Sequence, residues 1–343
     1  MIAVAGQDKA ELAERLLSLL IVENISGLYR CEALLSNWGT LDKSVGFLYF
    51  GRDILDFGKP FKVKIGADVI FDGRIMGLEA HFPEGTSPKL TVLAEDRFQD
   101  LRMTRRTRTF MDVTDADVIN QIANEHGLSP SVDVTGPKYK VLAQVNQSDL
   151  AFLRERARAI DAELWMNGST LNAKLHTKRS SSKLAIGYGH ELRTFSVLAD
   201  LAGQCTSVTA NGWDVASKDK LQYEATDSIL SGELNNDTSG ANILASALGK
   251  RKEALVHTVP LSSDEAKAEA ESYFKMSARR FVTGHGVADA DGQLRAGNYV
   301  RLNDLGPLFS GRYYLTEVMH LFDGAHGMRT EFTAERPGLG QAQ

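Results

Sequence analysis

The chain has 343 residues, enough for two or three domains at about 150 residues each. Its hydrophobic fraction of 43% is ordinary for a globular protein, and its net charge of −5 argues against a nucleic-acid binder that neutralises phosphates. It contains no run of 18 apolar residues, so we expect no membrane-spanning segment. Residues 1–6 lack the basic start of a signal peptide, which predicts a protein made in the cytoplasm.

Cysteine usage gives little sign of special chemistry. Cys31 and Cys205 are the only two cysteines, and neither belongs to a CxxC pair or a Cys/His cluster. This pattern disfavours a disulfide framework and a structural zinc site. We expect two buried or half-buried free thiols.

Residues 1–103 are predicted to be strand-rich. The exception is 10–22, where Leu12, Leu16 and Leu20 recur along one side and indicate a helix. Alternating or apolar runs predict strands at 28–35, 61–65, 69–71, 75–82 and 90–93. Asp72-Gly73 is predicted to be a hairpin turn, and 83–88 is rich in turn residues. Short strands separated by turns are typical of an antiparallel barrel or sandwich.

Residues 104–190 have a different pattern. Thr114 can cap a helix that ends at Gly127, and Ser148 can open a second helix. Asn167-Gly168, between two alternating runs, is a strong hairpin signal. The segment is therefore predicted to be a small α/β domain.

Residues 191–343 return to strand patterns, at 195–198 and 206–210 for example. A helix is predicted over 263–280, because Ser262 and Glu265 have capping-box spacing and small apolar residues follow at helical intervals.

The two ends of the chain indicate an internal duplication. Several landmarks recur in the same order, namely 71–74 with 309–312, Glu79 with Glu317, 58–63 with 297–302, 94–97 with 334–336, and Cys31 to Trp38 with Cys205 to Trp213. The second copy would then carry a helical insertion around 214–296. The alternative is two unrelated sheets that share ordinary turn chemistry.

These patterns predict a β-rich α+β fold of two related tube-like β-barrel domains with a small α/β domain between them. The expected boundaries are 1–103, 104–190 and 191–343.

Several stretches carry a family resemblance. They are Arg-Thr-Arg-Thr-Phe at 106–110 leading into the helix at 114–127, then 144–153, Asn-Gly-Trp-Asp at 211–214, and the run from 311–314 through 318–320 to 330–332. Over nearly the whole chain the sequence resembles the phage late control D family of baseplate hub proteins, related to the N-terminal part of the VgrG spike proteins.

The resemblance implies a structural role in the baseplate of a contractile phage tail or tail-like injection system. Three chains with two barrels each would form a ring of six similar domains, which joins a hexameric tail tube to a trimeric spike. The implied partners are the chain itself, the tail tube protein, a separate spike protein and other baseplate proteins, and the implied location is the virion tail or an equivalent particle. We expect no recognition of a specific nucleic-acid sequence.

Catalytic patterns do not support an enzyme. The sequence lacks HExxH, GxSxG and Walker-type motifs. Residues 289–292 are better explained as a tight turn than as a calcium loop, and His320 as a packed strand residue. We therefore expect no catalytic, cofactor or metal site. Two alternatives stay open: a peptidoglycan-binding or peptidoglycan-cleaving tail component, and a β-rich enzyme whose site is invisible in sequence.

One basic cluster is the candidate functional feature. Arg102, Arg105, Arg106 and Arg108 crowd a short segment before the Thr114 helix. They are predicted to pair with carboxylates of a neighbouring subunit, because the guanidinium fork suits such pairs. Contact with passing DNA and a solvated connector are the alternatives. We also expect an acidic or neutral lumen along which nucleic acid slides.

Overall fold

The computed structural model describes residues 1–41, 44–179, 183–214, 217–256 and 259–340. Most described elements are strands, and helices cluster in the middle of the chain and in one later segment. The predicted β-rich α+β class is confirmed. No helix in the described ranges is long and apolar enough to cross a membrane.

The first part of the chain is almost entirely strands. Its elements are β1 Ile2–Val4, β2 Gln7–Asp8, α1 Ala10–Glu14, β3 Leu16–Asn24, β4 Arg30–Ser36, β5 Trp38–Leu41, β6 Ser44–Phe47, β7 Pro60–Ile65, β8 Asp68–His81 and β9 Lys89–Glu95. The hydrogen-bonded order is β3-β4-β9-β8-β7-β1. Ile2 in β1 and Ile21 in β3, at opposite ends of this order, belong to one buried cluster, so the sheet wraps around that core.

The middle part is the α/β unit. Its elements are α2 Phe98–Arg102, β10 Arg105–Thr114, α3 Asp115–Glu125, β11 Ser129–Asp133, β12 Lys138–Ser148, α4 Asp149–Ala159, β13 Ala162–Asn167, β14 Thr170–Leu175 and α5 His176–Arg179. The Thr114 side chain accepts from the Asp117 N–H and the Ser148 side chain from the Ala151 N–H, so both predicted helix starts are confirmed. These helices and strands enclose a core of their own.

The last part is longer and contains two kinds of sheet. Its elements are β15 Ala185–Gly187, β16 Leu192–Ala199, β17 Ser207–Asp214, β18 Asp219–Thr226, a 3₁₀ helix Asp227–Leu230, α6 Ser231–Leu234, β19 Thr238–Ser239, α7 Gly240–Leu248, β20 Lys252–Leu255, α8 Ser263–Arg279, β21 Val282–Asp289, β22 Tyr299–Asn303, α9 Gly306–Phe309, β23 Gly311–Asp323, β24 Gly327–Arg336 and β25 Gly338–Leu339. Strands β16, β21, β24, β23 and β22 pair in that order, whereas β18, β17 and β20 form a separate sheet.

Helix α8 covers the separate sheet. The Ser262 side chain accepts from the Glu265 N–H, as the capping pattern predicts. Ala266, Ala270 and Phe274 are buried in one cluster with residues of β17 and β18, and small side chains there allow close packing.

Two five-stranded groups share one topology. We call β3, β4, β9, β8 and β7 repeat 1, and β16, β21, β24, β23 and β22 repeat 2. In both, the strands are paired in the same relative order and are antiparallel to their neighbours.

The backbone hydrogen bonds of the repeats also correspond. The Gly58 N–H donates to the carbonyl of Ile75 at 2.8 Å, and the Gly297 N–H donates to the carbonyl of Leu315 at 2.8 Å. Both glycines have positive φ, +76° and +86°, which glycine adopts without strain. Gly58 is therefore equivalent to Gly297, and Ile75 to Leu315, which confirms the predicted match of 58–63 with 297–302.

Irregularities fall at the same places in the two repeats. The β8–β9 pair has a bulge beside Ala94, and the β23–β24 pair has one beside Ala334. In the β3–β4 pair the register shifts by one residue after Leu16, and in the β16–β21 pair it shifts by one residue after Leu192. Bulges are positions at which the local pairing is specified, so their recurrence confirms the duplication.

Three details of the predicted duplication are wrong. Residues 71–74 do not match 309–312, and Glu79 does not match Glu317, because the equivalence of Ile75 with Leu315 shifts both comparisons by two positions. The segment from Cys205 to Trp213 is not the counterpart of the segment from Cys31 to Trp38, since β17 lies in the separate sheet and β21 takes the place of β4. The inserted segment therefore lies between β16 and β21, so it overlaps the predicted insertion around 214–296 but begins and ends earlier.

Two local predictions in the first part are also wrong. Residues 10–22 do not form one helix, because the short helix α1 is followed by strand β3. Leu19 and Ile21 of β3 point into the core, and β3 pairs with a strand on each side. The chain turns after Ile65 rather than at Asp72-Gly73, which lies inside β8. A Cβ at Gly73 would collide with the carbonyl of Glu95, so this glycine permits close strand packing.

The exact domain boundaries at 103 and 190 stay a prediction. Cys31 and Cys205 are both buried free cysteines, as predicted.

Candidate assembly surface

A single sheet runs through both repeats. Strand β23 of repeat 2 pairs antiparallel with β3 of repeat 1, from Glu317 opposite Asn24 to Asp323 opposite Ser18. We call this pairing the internal seam. It uses the half of β23 that lies beyond its contact with β22, so β22 and β3 share one edge of the same strand.

A buried ion pair lies beside the internal seam. The Glu23 carboxylate is fully buried, and the Arg295 guanidinium donates to it through Nε at 2.7 and 2.9 Å. Arg295 Nη1 also donates to the Val69 carbonyl at 2.8 Å. Arg295, in the loop between β21 and β22, thus contacts both β3 and β8 of repeat 1. The ion pair therefore fixes the position of one repeat against the other.

Apolar packing crosses the same seam. Phe322, near the end of β23, packs against the core of repeat 1, together with Met328 of β24. His320 is fully buried, and its Nδ1 lies 3.0 Å from the Thr330 hydroxyl. This is the packed strand position predicted for His320.

Among the described strands of the two repeats, two edges remain unpaired. Beyond its contact with β7, strand β8 pairs only with β9, so residues 77–81 present one free edge. Strand β16 pairs with β21 on one side, and on its other side it is free beyond the bridge from Leu192 to Tyr188. By the equivalence of the repeats, these are the edges that β23 and β3 use to form the internal seam.

Part of the arginine cluster contacts carboxylates of its own chain. Arg108 Nη2 lies 3.0 Å and Arg106 Nε 3.1 Å from the buried Asp149 carboxylate. Burial alone would raise the pKa of Asp149. Hydrogen bonds from His126 and Gln144 and the two guanidinium charges keep that pKa below its usual value. These two arginines therefore stabilise the start of α4.

The other two arginines are more exposed. Arg102 pairs with Glu95 at 2.5 Å, and Arg105 donates to the carbonyl of Asn146 at 3.3 Å. The structure brings Arg105, Arg106 and Arg108 onto one strand, β10, with Arg102 at the end of α2 just before it. A role of the four in a subunit interface stays a prediction.

A buried polar network joins the α/β unit to both repeats. The Glu163 carboxylate accepts from Arg179 at 2.6 Å and from the Tyr314 hydroxyl at 2.6 Å, and lies 2.8 Å from His176 Nδ1. Arg179 also donates to the Tyr29 hydroxyl at 2.9 Å. Burial alone would raise the pKa of Glu163, but these partners lower it to about 2. The carboxylate therefore stays ionised at neutral pH, at the junction of the α/β unit with the two repeats.

A second network holds α8 in place. Arg279 donates to Asp161 at 2.7 Å and to Glu233 at 2.7 Å. Asp161, Glu163 and Arg279 line a cleft of about 910 Å³ between the α/β unit and the repeats. Arg279 pairs with Asp161, and Glu163 pairs with Arg179, so these charges hold the parts together. Across the described ranges, no cluster of three His, Cys, Asp or Glu residues could hold a metal ion.

Sequence reasoning did not identify the free edges or the Glu23–Arg295 pair. Glu23 follows an apolar run and Arg295 lies in a loop 272 positions away, so no local pattern connects them. The duplication was the only available signal, because it shows which edge of one repeat should match which edge of the other.

Sequence comparisons with known proteins give one family match. A family model described as the Alg8 N-terminal domain matches residues 47–323. A search of curated protein sequences found no match.

Solved structures show the fold over the whole chain. The 43 kDa tail protein of prophage MuSo2 from Shewanella oneidensis superposes with a TM-score of 0.72 and 11% identity, over 98% of this chain and 97% of that chain. A tail protein from Neisseria meningitidis MC58 gives 0.71 and 12%, over 99% and 96%. The E. coli c3393 protein, described as a type VI secretion component similar to the T4 tail proteins gp27 and gp5, gives 0.61 and 12%, over 100% and 79%. The chain thus has the fold of these tail proteins, as the predicted resemblance implies.

Proposed function

We propose that this chain, which belongs to the Alg8 N-terminal domain family, is a structural subunit of a tail or injection-system hub that assembles into a closed ring. Copies join when the free edge of β8 in one chain pairs with the free edge of β16 in the next. The observation that carries the proposal is the internal seam, which is the same junction between the equivalent strands β23 and β3.

The equivalence of the repeats fixes the register of the seam between chains. Four residues of the internal seam have counterparts on the free edges, namely Met319 with Glu79, Leu321 with His81, Val22 with Leu198, and Leu20 with Ser196. We therefore place Glu79 opposite Leu198, and His81 opposite Ser196, of a second copy. The 61% exposure of Leu198 in the single chain is consistent with an edge that a partner covers.

Closing a ring solves a physical problem for these strands. A free edge presents unpaired N–H and C=O groups and invites uncontrolled pairing. A head-to-tail contact between β8 and β16 closes only when its rotation completes a circle, and then no edge remains. Three copies are the number implied by the resemblance to hub proteins, so that six similar barrels meet a hexameric tube while the ring keeps three-fold symmetry for a spike.

The face of the sheet turned away from the two cores would line the ring. Strand alternation puts the carboxylates Glu32, Glu79 and Glu331 on this face, whereas Glu317 and Glu335 on the same side line the cleft beside the α/β unit. Basic residues, among them Arg30, Lys89 and Arg329, lie on the same face. With both signs present, the proposed lining is near neutral and does not hold nucleic acid, which can therefore slide. We propose a purely structural role in the tail particle, with tube, spike and baseplate proteins as partners and without catalysis or a cofactor.

Cross-linking tests the register. In the double variant His81→Cys with Ser196→Cys, directly opposite Cβ atoms lie about 5 Å apart across the seam, within reach of a short thiol reagent. We expect a ladder of cross-linked dimers and trimers, with no larger species. Each single variant should give no ladder.

The matched control shifts one cysteine by one residue. In His81→Cys with Val197→Cys the two side chains lie on opposite faces of the sheet, so linking should fail. Equal linking of both pairs, absence of any ladder, or a ladder that continues beyond three would overturn the proposal.

A further inference from the structure

Four aromatic side chains form an exposed patch at one end of repeat 1. We call Trp38, Phe47, Phe50 and Phe82 the aromatic patch. Phe82 is 64% exposed and Phe47 is 43% exposed. Their rings are in contact, with centroids 5.2 Å apart for Trp38–Phe47, 4.9 Å for Phe47–Phe50 and 6.1 Å for Phe47–Phe82.

The aromatic patch reaches the free edge of β8. Strand β4, from which the β5–β6 hairpin leaves, is separated from β8 by β9. Phe47 and Phe50 nevertheless contact Phe82, the residue that follows β8. The hairpin and the segment after it therefore cross the end of the sheet and stop at the edge that is unpaired.

The counterpart of Phe82 in repeat 2 is already packed across a seam. His81 lies opposite Lys89, and Leu321 lies opposite Arg329, so the next residues, Phe82 and Phe322, are equivalent. Phe322 packs on the core of repeat 1 across the internal seam. Phe82 has no such surface within its own described chain, which accounts for its greater exposure.

We propose that the aromatic patch packs on repeat 2 of a second copy, beside β16, and clamps the seam between chains. The inference rests on the proposed ring and names a contact that the ring alone does not require. Continuing the seam register places Phe82 opposite Phe195 of the second copy, since Phe322 lies opposite Leu19 within the chain. Tyr188, 53% exposed, is bridged to Leu192 at the start of the same strand, β16.

The β5–β6 hairpin is present in repeat 1, and repeat 2 has no counterpart among its described residues. In repeat 1 the strands β5 and β6 lie between β4 and β7, whereas only residues 290–298 connect the equivalent strands β21 and β22. The internal seam joins parts of one chain, so its association is intramolecular. The seam between chains has to offset the loss of translational and rotational freedom, and additional buried aromatic area contributes to that.

The test measures how tightly the ring holds together. In Phe82→Ser and, separately, Phe47→Ser, we expect the dissociation constant for each seam to rise by about ten-fold or more, because each side chain loses its apolar burial. Analytical ultracentrifugation over a dilution series measures this. Both side chains are exposed in the free chain, so the thermal midpoint of the dissociated chain should not change.

Two controls make the result specific. Trp213→Ser removes an aromatic of 51% exposure from the separate sheet and should leave dissociation unchanged. Phe82→Leu keeps an apolar side chain and should restore most of the affinity. Wild-type dissociation in both serine variants, with the His81–Ser196 cross-link retained, would overturn the clamp and leave the proposed ring standing. Loss of that cross-link in the otherwise wild-type protein would overturn the ring itself.

Discussion

Replacing Arg295 with methionine would leave the buried Glu23 carboxylate without its counter-charge between the two repeats. Arg295 Nε donates to both carboxylate oxygens, at 2.7 and 2.9 Å, and the Ala296 N–H, at 3.3 Å, would be the contact that remains. Removing one partner of a buried pair costs about 3–5 kcal/mol. Because the Arg295 side chain is 30% exposed, water can reach the site, and we expect a loss near the lower limit, about 3 kcal/mol.

Urea unfolding followed by circular dichroism measures the loss of stability. Hydrogen exchange localises it, and we expect faster exchange in β3 and β23, the strands of the internal seam. The double variant Glu23→Gln with Arg295→Met removes the stranded charge and should recover at least about 1 kcal/mol of the loss, a coupling that a double-mutant cycle isolates.

An exposed pair provides the matched control. Lys252 lies 3.0 Å from Glu224, and both side chains are exposed. Lys252→Met should cost less than about 1 kcal/mol. A loss for Arg295→Met no greater than that of this control, or a further loss of stability on adding Glu23→Gln, would contradict the prediction.

Two further predictions concern titration and the arginine cluster. Burial, with the charge of Arg295 adding to it, lowers the pKa of His320 to about 3. As the pH falls, His320 is therefore protonated in the unfolded chain before it is protonated in the folded chain. This difference should lower the free energy of unfolding by about 2 kcal/mol between pH 7 and pH 5. The loss is read as the difference from His320→Gln at each pH, and a pH-independent difference would contradict it. For the cluster, Arg106→Glu places a carboxylate beside the buried Asp149 and should lower stability by about 1–3 kcal/mol, whereas Arg105→Glu should change it by less than about 0.5 kcal/mol. Thermal unfolding checks both, and normal assembly of the stable Arg105→Glu variant would remove that residue from any subunit interface.

Features fixed by local chemistry were predictable from the sequence. The caps at Thr114, Ser148 and Ser262 each satisfy backbone N–H groups within one turn, so the signal and the structure lie within four residues of each other. The match of Gly58 with Gly297 was readable for the same reason, because a positive φ restricts the residue at that point.

Features fixed by tertiary pairing were not predictable from the sequence. The leucines of 10–22 fit a helical stripe, but β3 has strands on both sides, and pairing with β4 and β23 overrides the local pattern. Asp72-Gly73 has the sequence pattern of a hairpin turn, although the missing side chain of Gly73 instead permits close contact with Glu95. The free edges of β8 and β16 depend on register between parts of the chain far apart in sequence, which no periodicity encodes.

A three-dimensional reconstruction of the assembled particle by electron cryomicroscopy tests the central claim most directly. We expect three chains arranged as six similar barrels, with seams inside chains alternating with seams between chains, and with β8 of each copy antiparallel to β16 of the next. A ring of six chains, or one in which β8 and β16 of neighbouring copies do not pair, would contradict the account.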